Sequence, residues 1–563
     1  IYTLSLHDAL PISVFLLGAN DMYIPGKENA GGILSEHDRE LFQKGGVVLA
    51  PGAKEKAFIQ KFYLYLLMTK PSEQLYVTYS KVSADGKTLR PAYLIQDLRR
   101  MYKKMEIQDA DCQPDKKELT PKSGFAYLIE KLQKKHEGLG TEWQELYTWY
   151  RQNPKWRKKI EQIVEACFYE KPKDGLTTRT AQRLYGTILE NSVTRLEKFS
   201  ACAYAHFLSY GLNLREREEY TFQAIDLGNI FHSAIEHFAK KLEAEGYTWT
   251  TLPEVRREEL IEESVEESIV DYGNTILYSS ARNEYIIKRL KRMMRRTVWA
   301  LTKQLEKGDF MPGGYEISFG GASGLSTSDI ALDGHGRMRL RGKIDRVDIC
   351  EDEDNVYVKV IDYKTGAKAF DLGELYYGLQ LQLVLYLNTA LELESRKNHG
   401  KTVIPAGIFY YQMKDPIVDK EKDEEKLEKK ILKELRLDGV VNAREEVVRH
   451  LDREISGNSL VVPIGRNKDR SLSKASKTAT QEEFELISEY AKKQMKQIGT
   501  RILEGETEVS PYELGTMTGC SYCPYKAICG FEEKIPGYEY RRLQKLKKDE
   551  ALMKMRKEVS EWE

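Results

Sequence analysis

The stretch VKVIDYKTG, residues 358–366, constrains this chain more than any other. On a β-strand, side chains two apart share a face. Val358, Val360, Asp362 and Lys364 therefore line up, apolar members first, with a carboxylate and an ammonium at the strand's end before Gly366. An edge-strand ion pair alone would read the same way. Seventeen residues earlier, however, GKIDRVD puts Asp345 on the neighbouring predicted strand. Two carboxylates brought together across a hairpin repel unless a divalent cation neutralises them. Together the two stretches point to a sheet whose strand ends form a cation site.

Two further segments point to the same place. In GNIFHSAIEHF, Gly228, His232 and Glu236 recur every four residues and share one helical face. A lone helical histidine is usually a satisfied core residue, but one with an acid on its own stripe is a better ligand candidate. In QLQLVLYL, Gln382 and Tyr386 stand one turn apart, away from Leu383 and Leu387. Oxygen-rich ligation with one imidazole favours Mg²⁺ or Mn²⁺ over Zn²⁺.

With 563 residues the chain exceeds a single core, and two to four domains are expected. Lys+Arg and Asp+Glu are both 87, so any nucleic-acid surface must be local. One helix, NEYIIKRLKRMMRRTVWALTKQL, concentrates Lys288, Arg289, Lys291, Arg292, Arg295 and Arg296. It reads either as a solvated face or as a phosphate-contacting surface, with Arg289, Arg292, Arg295 and Arg296 the candidate DNA contacts. No apolar run is long enough to span a bilayer, so no membrane partner is expected. The seven cysteines do not form a disulfide framework, and without a secretory leader a reducing cytoplasm is the expected location. TGCSYCPYKAICG holds Cys520, Cys523 and Cys529, one thiolate short of a tetrahedral zinc or cubane iron–sulfur site.

Along the chain, IYTLSLHDALPIS (1–13) reads as a non-native leader, and the absence of an initiator methionine suggests a fragment. Residues 14–95 read as α/β: SVFLLGAN a buried parallel strand, LSEHDRELFQKGG and AFIQKFYLYLLMT helices, EQLYVTYS a strand. Residues 96–190 read as a helical connector, 191–540 as the site-bearing domain and 541–563 as a helical tail. Within 191–540, GRMRLRGKIDRVDIC, NVYVKVIDYKTG and VIPAGIFYYQM read as strands, and GELYYGLQLQLVLYLNTALELE as one long helix. DKEKDEEKLEKKILKELR reads as a solvated helix or loop.

The ordered set His232, Asp345, Asp362–Lys364 and Gln382–Tyr386 resembles the RecB-like branch of the PD-(D/E)XK nuclease superfamily, whose motifs are GxxxHxxxE, GxxDRxD, (I/V)DYKTG and QLxxY. The resemblance implies a restriction-endonuclease-like α/β core. His232, Asp345, Asp362 and the main-chain carbonyl of Tyr363 would hold Mg²⁺ or Mn²⁺ beside a scissile phosphate. Lys364 would orient water or steady the transition state, Gln382 and Tyr386 would support the site, and Glu236 would join the ligands or only hydrogen-bond a metal-bound water.

In iron–sulfur members of this branch, one cysteine precedes the core and three follow it. Cys202, in SVTRLEKFSACAYAHFLSYGLNL, would then join Cys520, Cys523 and Cys529 around a [4Fe-4S] cluster, although four thiolates equally permit zinc. Cys112, Cys167 and Cys350 remain outside that set, Cys350 as a buried strand residue.

The same segments, with GYEYRRLQ and the front of the chain, resemble B subunits of bacterial AddAB helicase–nucleases over residues 14 to about 545. The front looks like the last part of a superfamily-1 helicase region. MTKPSEQL departs from the LTRA-type sequence of working helicases, and no G-x-x-x-x-G-K-[ST] loop is present. In the family the nucleotide site lies nearer the N-terminus, in a region outside this chain.

The resemblance implies a Mg²⁺-dependent single-strand deoxyribonuclease that processes double-strand ends for recombinational repair. It would partner an AddA-like helicase–nuclease and cut the 5′-terminated strand. Tyr204, Tyr210, Tyr376 and Tyr377 are available for stacking on bases. The rival readings are a non-catalytic DNA-binding scaffold that recognises a regulatory sequence, and a free-standing cluster-bearing exonuclease of the CRISPR-adaptation type. The latter type is shorter and lacks the helicase-like front.

Overall fold

The computed structural model describes residues 11–21, 23–24, 26, 42, 44–47, 50–83, 88–109, 120–133, 140–171, 175–217, 222–273, 275–320, 325–334, 336–366, 368–455 and 457–561. The chain divides into two compact units, Ile1–Tyr150 and Arg151–Glu563.

In the first unit, Ser13–Leu16 pairs in parallel with Gln74–Val77, and a helix spans Ala53–Thr69. The expected helix over LSEHDRELFQKGG lies largely outside the described residues. The strand is parallel as its pattern suggests but is not buried, with Phe15 62% and Leu17 71% exposed. Among the described residues none of its side chains joins a core cluster, so neither of its faces is buried. Helices at Tyr93–Met101 and Pro121–Gln133 follow, then Thr141–Gln152 across the unit boundary.

The second unit is built on a six-stranded mixed sheet. Its elements in chain order are α1 (Val193–Ala201), α2 (Ala224–Ala244), α3 (Ala281–Glu306), β1 (Met311–Phe319), β2 (Gly342–Glu351), β3 (Asn355–Lys364), α4 (Gln382–Lys397), β4 (Thr402–Gln412), β5 (Asp438–Asn442), β6 (Thr478–Ala479) and α5 (Gln481–Glu504). The spatial order is β6-β5-β4-β3-β2-β1. β1–β2–β3 is an antiparallel meander, and β4 joins β3 in parallel after the α4 crossover. That crossover is the connection a parallel pair requires.

β3 is buried on both faces, which explains its nearly unbroken apolar run. Val356, Val358 and Val360 point into a core with Leu383 and Leu387 of α4 and Ile498 of α5. Tyr357, Ile361 and Tyr363 point into a second core with Phe231 and Ile235 of α2 and Met294 and Val298 of α3. The two-residue period thus sets both layers, and the polar residues Asp362 and Lys364 follow where the apolar run ends.

Two expected elements are broken. GRMRLRGKIDRVDIC forms two strands: Gly336–Leu340 pairs with Ile188–Asn191 and Asp329–Leu332 in a small separate sheet, and β2 starts at Gly342. The crossing at Arg341 depends on Gly342, where a Cβ would stand 2.5 Å from the Phe319 ring. The long helix expected over GELYYGLQLQLVLYLNTALELE is two helices, Leu372–Tyr376 and α4. Gly378 breaks it at φ +74 and lies so close to α1 that a Cβ would meet Ser200 Oγ at 2.7 Å. The acidic-basic segment near 424–434 is a helix, with Ile431 and Leu432 buried.

Candidate active site

The meander brings Glu316 (β1), Asp345 (β2) and Asp362 (β3) to neighbouring positions on three adjacent strands. The registers place Tyr315 against Arg346 and Arg346 against Ile361, so one step along each ladder levels the three carboxylates. The β2–β3 ladder stops there, and Asp345 Oδ2 accepts the main-chain N–H of Tyr363 at 2.8 Å. A carboxylate thus satisfies a strand N–H where the hairpin opens.

From α2, His232 reaches the same point. Its Nδ1 is 3.5 Å from Asp345 Oδ2 and 3.7 Å from Glu316 Oε1. One ligand atom each from His232, Glu316 and Asp345 lie within 4.8 Å of one another, a grouping that could hold a metal ion. Gly228, one turn earlier on α2, faces the Thr365 side chain and lets the helix run beside the strand end.

The other half of the site sits on the α4 side. Lys364 Nζ is 2.5 Å from Asp362 Oδ2 and donates to Gln382 Oε1 at 3.2 Å. Gln382 Nε2 donates to Asp362 Oδ1 at 3.0 Å and to the Tyr386 hydroxyl at 2.9 Å. The one-turn spacing of Gln382 and Tyr386 places both at the end of β3, as their shared helical face suggested.

Burial and charge crowding shift the acidities of these groups. Burial, with the Asp362 charge adding to it, pushes the Asp345 carboxyl up to about 7. Burial also raises Asp362, against the pull of Lys364. Burial would lower His232, but the Glu316 hydrogen bond and the charges of Asp345, Glu316 and Asp362 together raise it. A buried cluster with excess negative charge is stabilised by a bound cation.

Glu316 is the residue that sequence reading missed. It is held at φ +49, a left-handed conformation uncommon outside glycine, and it also pairs with Lys343 at 2.7 Å. Glu236 pairs with Lys240 at 2.7 Å and Lys343 at 3.6 Å and stands outside the three-donor group. The Tyr363 ring is buried in the α2–α3 core.

The four cysteines named above also meet. Cys202, Cys520, Cys523 and Cys529 line one open-sided pocket, with Tyr204, Tyr525 and Phe531. Cys202 caps the C-terminal end of α1, its N–H donating to Lys198 O. The 508–541 segment docks there: Tyr204 N–H donates to Glu508 O, Arg541 Nη2 to Ser200 O, and a Cβ on Gly519 would stand 2.8 Å from Ala201 O. Cys350 is buried, whereas Cys112 and the Cys167 side chain lie outside the described residues.

The basic helix is mostly neutralised. Arg292 pairs with Asp415 at 2.5 Å, Arg295 with Glu258 and Glu262, and Arg296 with Asp415 at 3.8 Å, while Arg289 is exposed. Tyr376 stacks on Tyr490 and Tyr377 bonds Gln544 O, both packing roles. The Tyr210 ring lies under Arg195, and Tyr204 packs with Phe207. No described helix is long and apolar enough to cross a membrane.

Comparison with known proteins agrees with this geometry. The model of the PD-(D/E)XK nuclease superfamily matches residues 190–530, and that of the ATP-dependent helicase/deoxyribonuclease AddB fifth domain matches 119–166. The chain is similar to proteins named as the B subunit of ATP-dependent helicase/deoxyribonuclease. It is 40% identical to that of Lachnoclostridium phytofermentans over 97% of this chain and 47% of the relative. For Alkaliphilus metalliredigens the identity is 34%, over 97% and 48%, and for Caldanaerobacter subterraneus 36%, over 94% and 46%. The chain thus spans about half the length of the curated relatives it matches. With the superfamily match covering the whole meander, α4 and the cysteines, the chain belongs to the PD-(D/E)XK nuclease superfamily.

Proposed function

We propose that this chain is the nuclease-bearing part of a helicase–nuclease B subunit. In this reading it cuts the 5′-terminated single strand that an AddA-like partner unwinds at double-strand DNA ends, for recombinational repair in the cytoplasm. The convergence of His232, Glu316, Asp345 and Asp362 beside Lys364 carries the proposal. The similarity to helicase/deoxyribonuclease B subunits supports the helicase–nuclease setting.

His232, Glu316, Asp345 and Asp362, with the Tyr363 carbonyl, would hold Mg²⁺ or Mn²⁺. Such an ion lowers the pKa of water and offsets negative charge building on phosphorus. Asp362, between Lys364 and Gln382, holds the ammonium at the metal side of the strand end. Lys364 then supplies a fixed positive charge and a donor to the phosphate or to the attacking water. Gln382 limits the rotamers of both, and Tyr386 fixes Gln382.

The four thiols are read as a [4Fe-4S] site on the family resemblance and on the meeting of Cys202 with Cys520, Cys523 and Cys529, where four thiolates equally permit one zinc. A [4Fe-4S] cluster there would tie α1 to the 508–541 segment. Lys198, over the Tyr525 ring at 5.5 Å, and Arg541, on the carbonyls before Cys202, bring positive charge to four thiolates.

The test is cleavage of 5′-labelled single-stranded DNA with Mg²⁺ by the full chain and by Asp362→Ala and Lys364→Ala. Loss in both variants supports the reading. Undiminished activity in either would rule out this site, and a wild-type chain that does not cut DNA would leave the non-catalytic scaffold as the better account.

A further inference from the structure

α4 begins without a cap of its own. Its N-cap residue, Leu381, offers no side-chain acceptor, so the first N–H groups of the helix need one from elsewhere. Glu197 of α1 provides it: Oε1 accepts the N–H of Leu381 at 2.8 Å and of Gln382 at 3.1 Å. A carboxylate at a helix N-terminus is favourably placed against the helix dipole. The residue so held, Gln382, is the one whose amide joins Asp362, Lys364 and Tyr386. α1 is also the helix that ends at Cys202, five residues after Glu197, and Ser200 abuts Gly378 just before α4.

We infer that Glu197 is a positioning residue for the phosphodiester cleavage proposed above, fixing Gln382 and through it Lys364, and that it makes α1 a strut between the thiol cavity and the catalytic end of β3. The inference rests on the nuclease reading for its kinetic consequence, not for its structural one. Glu197 acts as an acceptor for two main-chain N–H groups, so a glutamine in its place, whose carbonyl oxygen accepts equally, serves the same purpose. Alanine leaves both N–H groups unpaired and frees Gln382 to leave Asp362.

The test compares the unsubstituted chain with Glu197→Ala and Glu197→Gln. Amide hydrogen exchange is followed in the peptide spanning 379–388, and single-turnover cleavage of single-stranded DNA in Mg²⁺. Iron content and the visible absorption of the protein report whether the thiol cavity is intact. Glu197→Ala is expected to speed exchange in that peptide and to slow the single-turnover rate about 10-fold to 100-fold, the scale of a misplaced catalytic group. DNA affinity and iron content should hold. Glu197→Gln should restore both exchange and rate.

Unchanged exchange in Glu197→Ala, or a Glu197→Gln variant as impaired as the alanine, would overturn the inference. If Glu197→Ala loses its iron or fails to fold, the comparison of Glu197→Gln with wild type still decides between acceptor and charge. A wild-type chain that does not cut DNA would sink the nuclease reading, while the exchange measurement would still judge Glu197.

Discussion

Lys364 Nζ stands 2.5 Å from Asp362 Oδ2, and Gln382 bridges the same two residues through its amide, one end to each. The ammonium therefore has one ion-pair partner and one hydrogen-bond acceptor before any substrate arrives. Such preorganisation matters more than charge alone. Lys364→Ala should reduce the cleavage rate about a thousandfold, within the range for losing a catalytic proton or charge donor. Divalent-ion affinity, measured by calorimetry, should stay close to wild type. A Lys364→Ala protein that lost metal affinity as well would show that the lysine shapes the metal site itself.

Glu316 gives a different signature. Its carboxylate faces His232 and Lys343 from a left-handed backbone position, a conformation that costs on the order of 1–3 kcal/mol where it persists. Glu316→Gln keeps shape and volume but removes a negative ligand. Mg²⁺ affinity should fall at least about 10-fold, with single-turnover activity recovering at high Mg²⁺ concentration. Lack of recovery would make Glu316 a group that acts on the reaction rather than on the ion.

Much of this site was legible because its residues obey simple periods. Asp362 and Lys364 share a strand face with Val358 and Val360, and Gln382 and Tyr386 share a helix turn, so local geometry carries them to one place. Glu316 escaped because its strand opens on Pro312, Gly313 and Gly314 with a register shift, and its φ is unlike a strand's. The break before α4 escaped for another reason. Gly378 is needed by the contact with Ser200, more than 170 residues earlier in the chain, and no local pattern announces such a contact. The arginines of α3 looked like a phosphate surface because their acidic partners, Glu258, Glu262 and Asp415, come from other segments.

Those pairings separate the arginines by role. Arg289 is exposed, whereas Arg295 is held by two carboxylates. Arg289→Ala should weaken single-stranded DNA binding and reduce its salt dependence by about one released counterion. Arg295→Ala should leave DNA affinity unchanged and cost under about 1 kcal/mol of stability, as exposed ion pairs do. Fluorescence anisotropy across a salt series distinguishes the two, and equal effects from both would mean that the whole helix face meets DNA.

Cys202 lies 318 residues before Cys520, yet both line the same cavity. A cluster held by both removes unfolded-chain entropy worth on the order of 5 kcal/mol, by analogy with a crosslink closing a loop of that size. If that cluster is present, the anaerobic protein should absorb broadly in the visible, and Cys202→Ser should abolish that absorption and lower the melting temperature. Wild-type melting in that variant would mean that no staple spans these segments.

Metal and pH meet at Asp345. Its carboxyl is held near 7 in the folded protein by burial and by the Asp362 charge, against an ordinary value of 3.8. An acid whose folded pKa is raised binds its proton more tightly when folded. Stability is therefore highest below the ordinary value and falls as pH climbs from 3.8 towards about 7, beyond which the penalty is complete. Without metal, the chain should melt at lower temperature near neutral pH than near pH 5, as far as this group decides. Asp345→Asn keeps an oxygen for the Tyr363 N–H and carries no charge. It should raise the melting temperature of metal-free protein above about pH 7, leave it unchanged near pH 4, and eliminate cleavage. Mg²⁺ should stabilise wild type most at the alkaline end, where the ion opposes the charge, and should do little for Asp345→Asn. If the substitution destabilises the metal-free protein at alkaline pH, the carboxylate is compensated by its neighbours, and the need for a cation at these strand ends disappears.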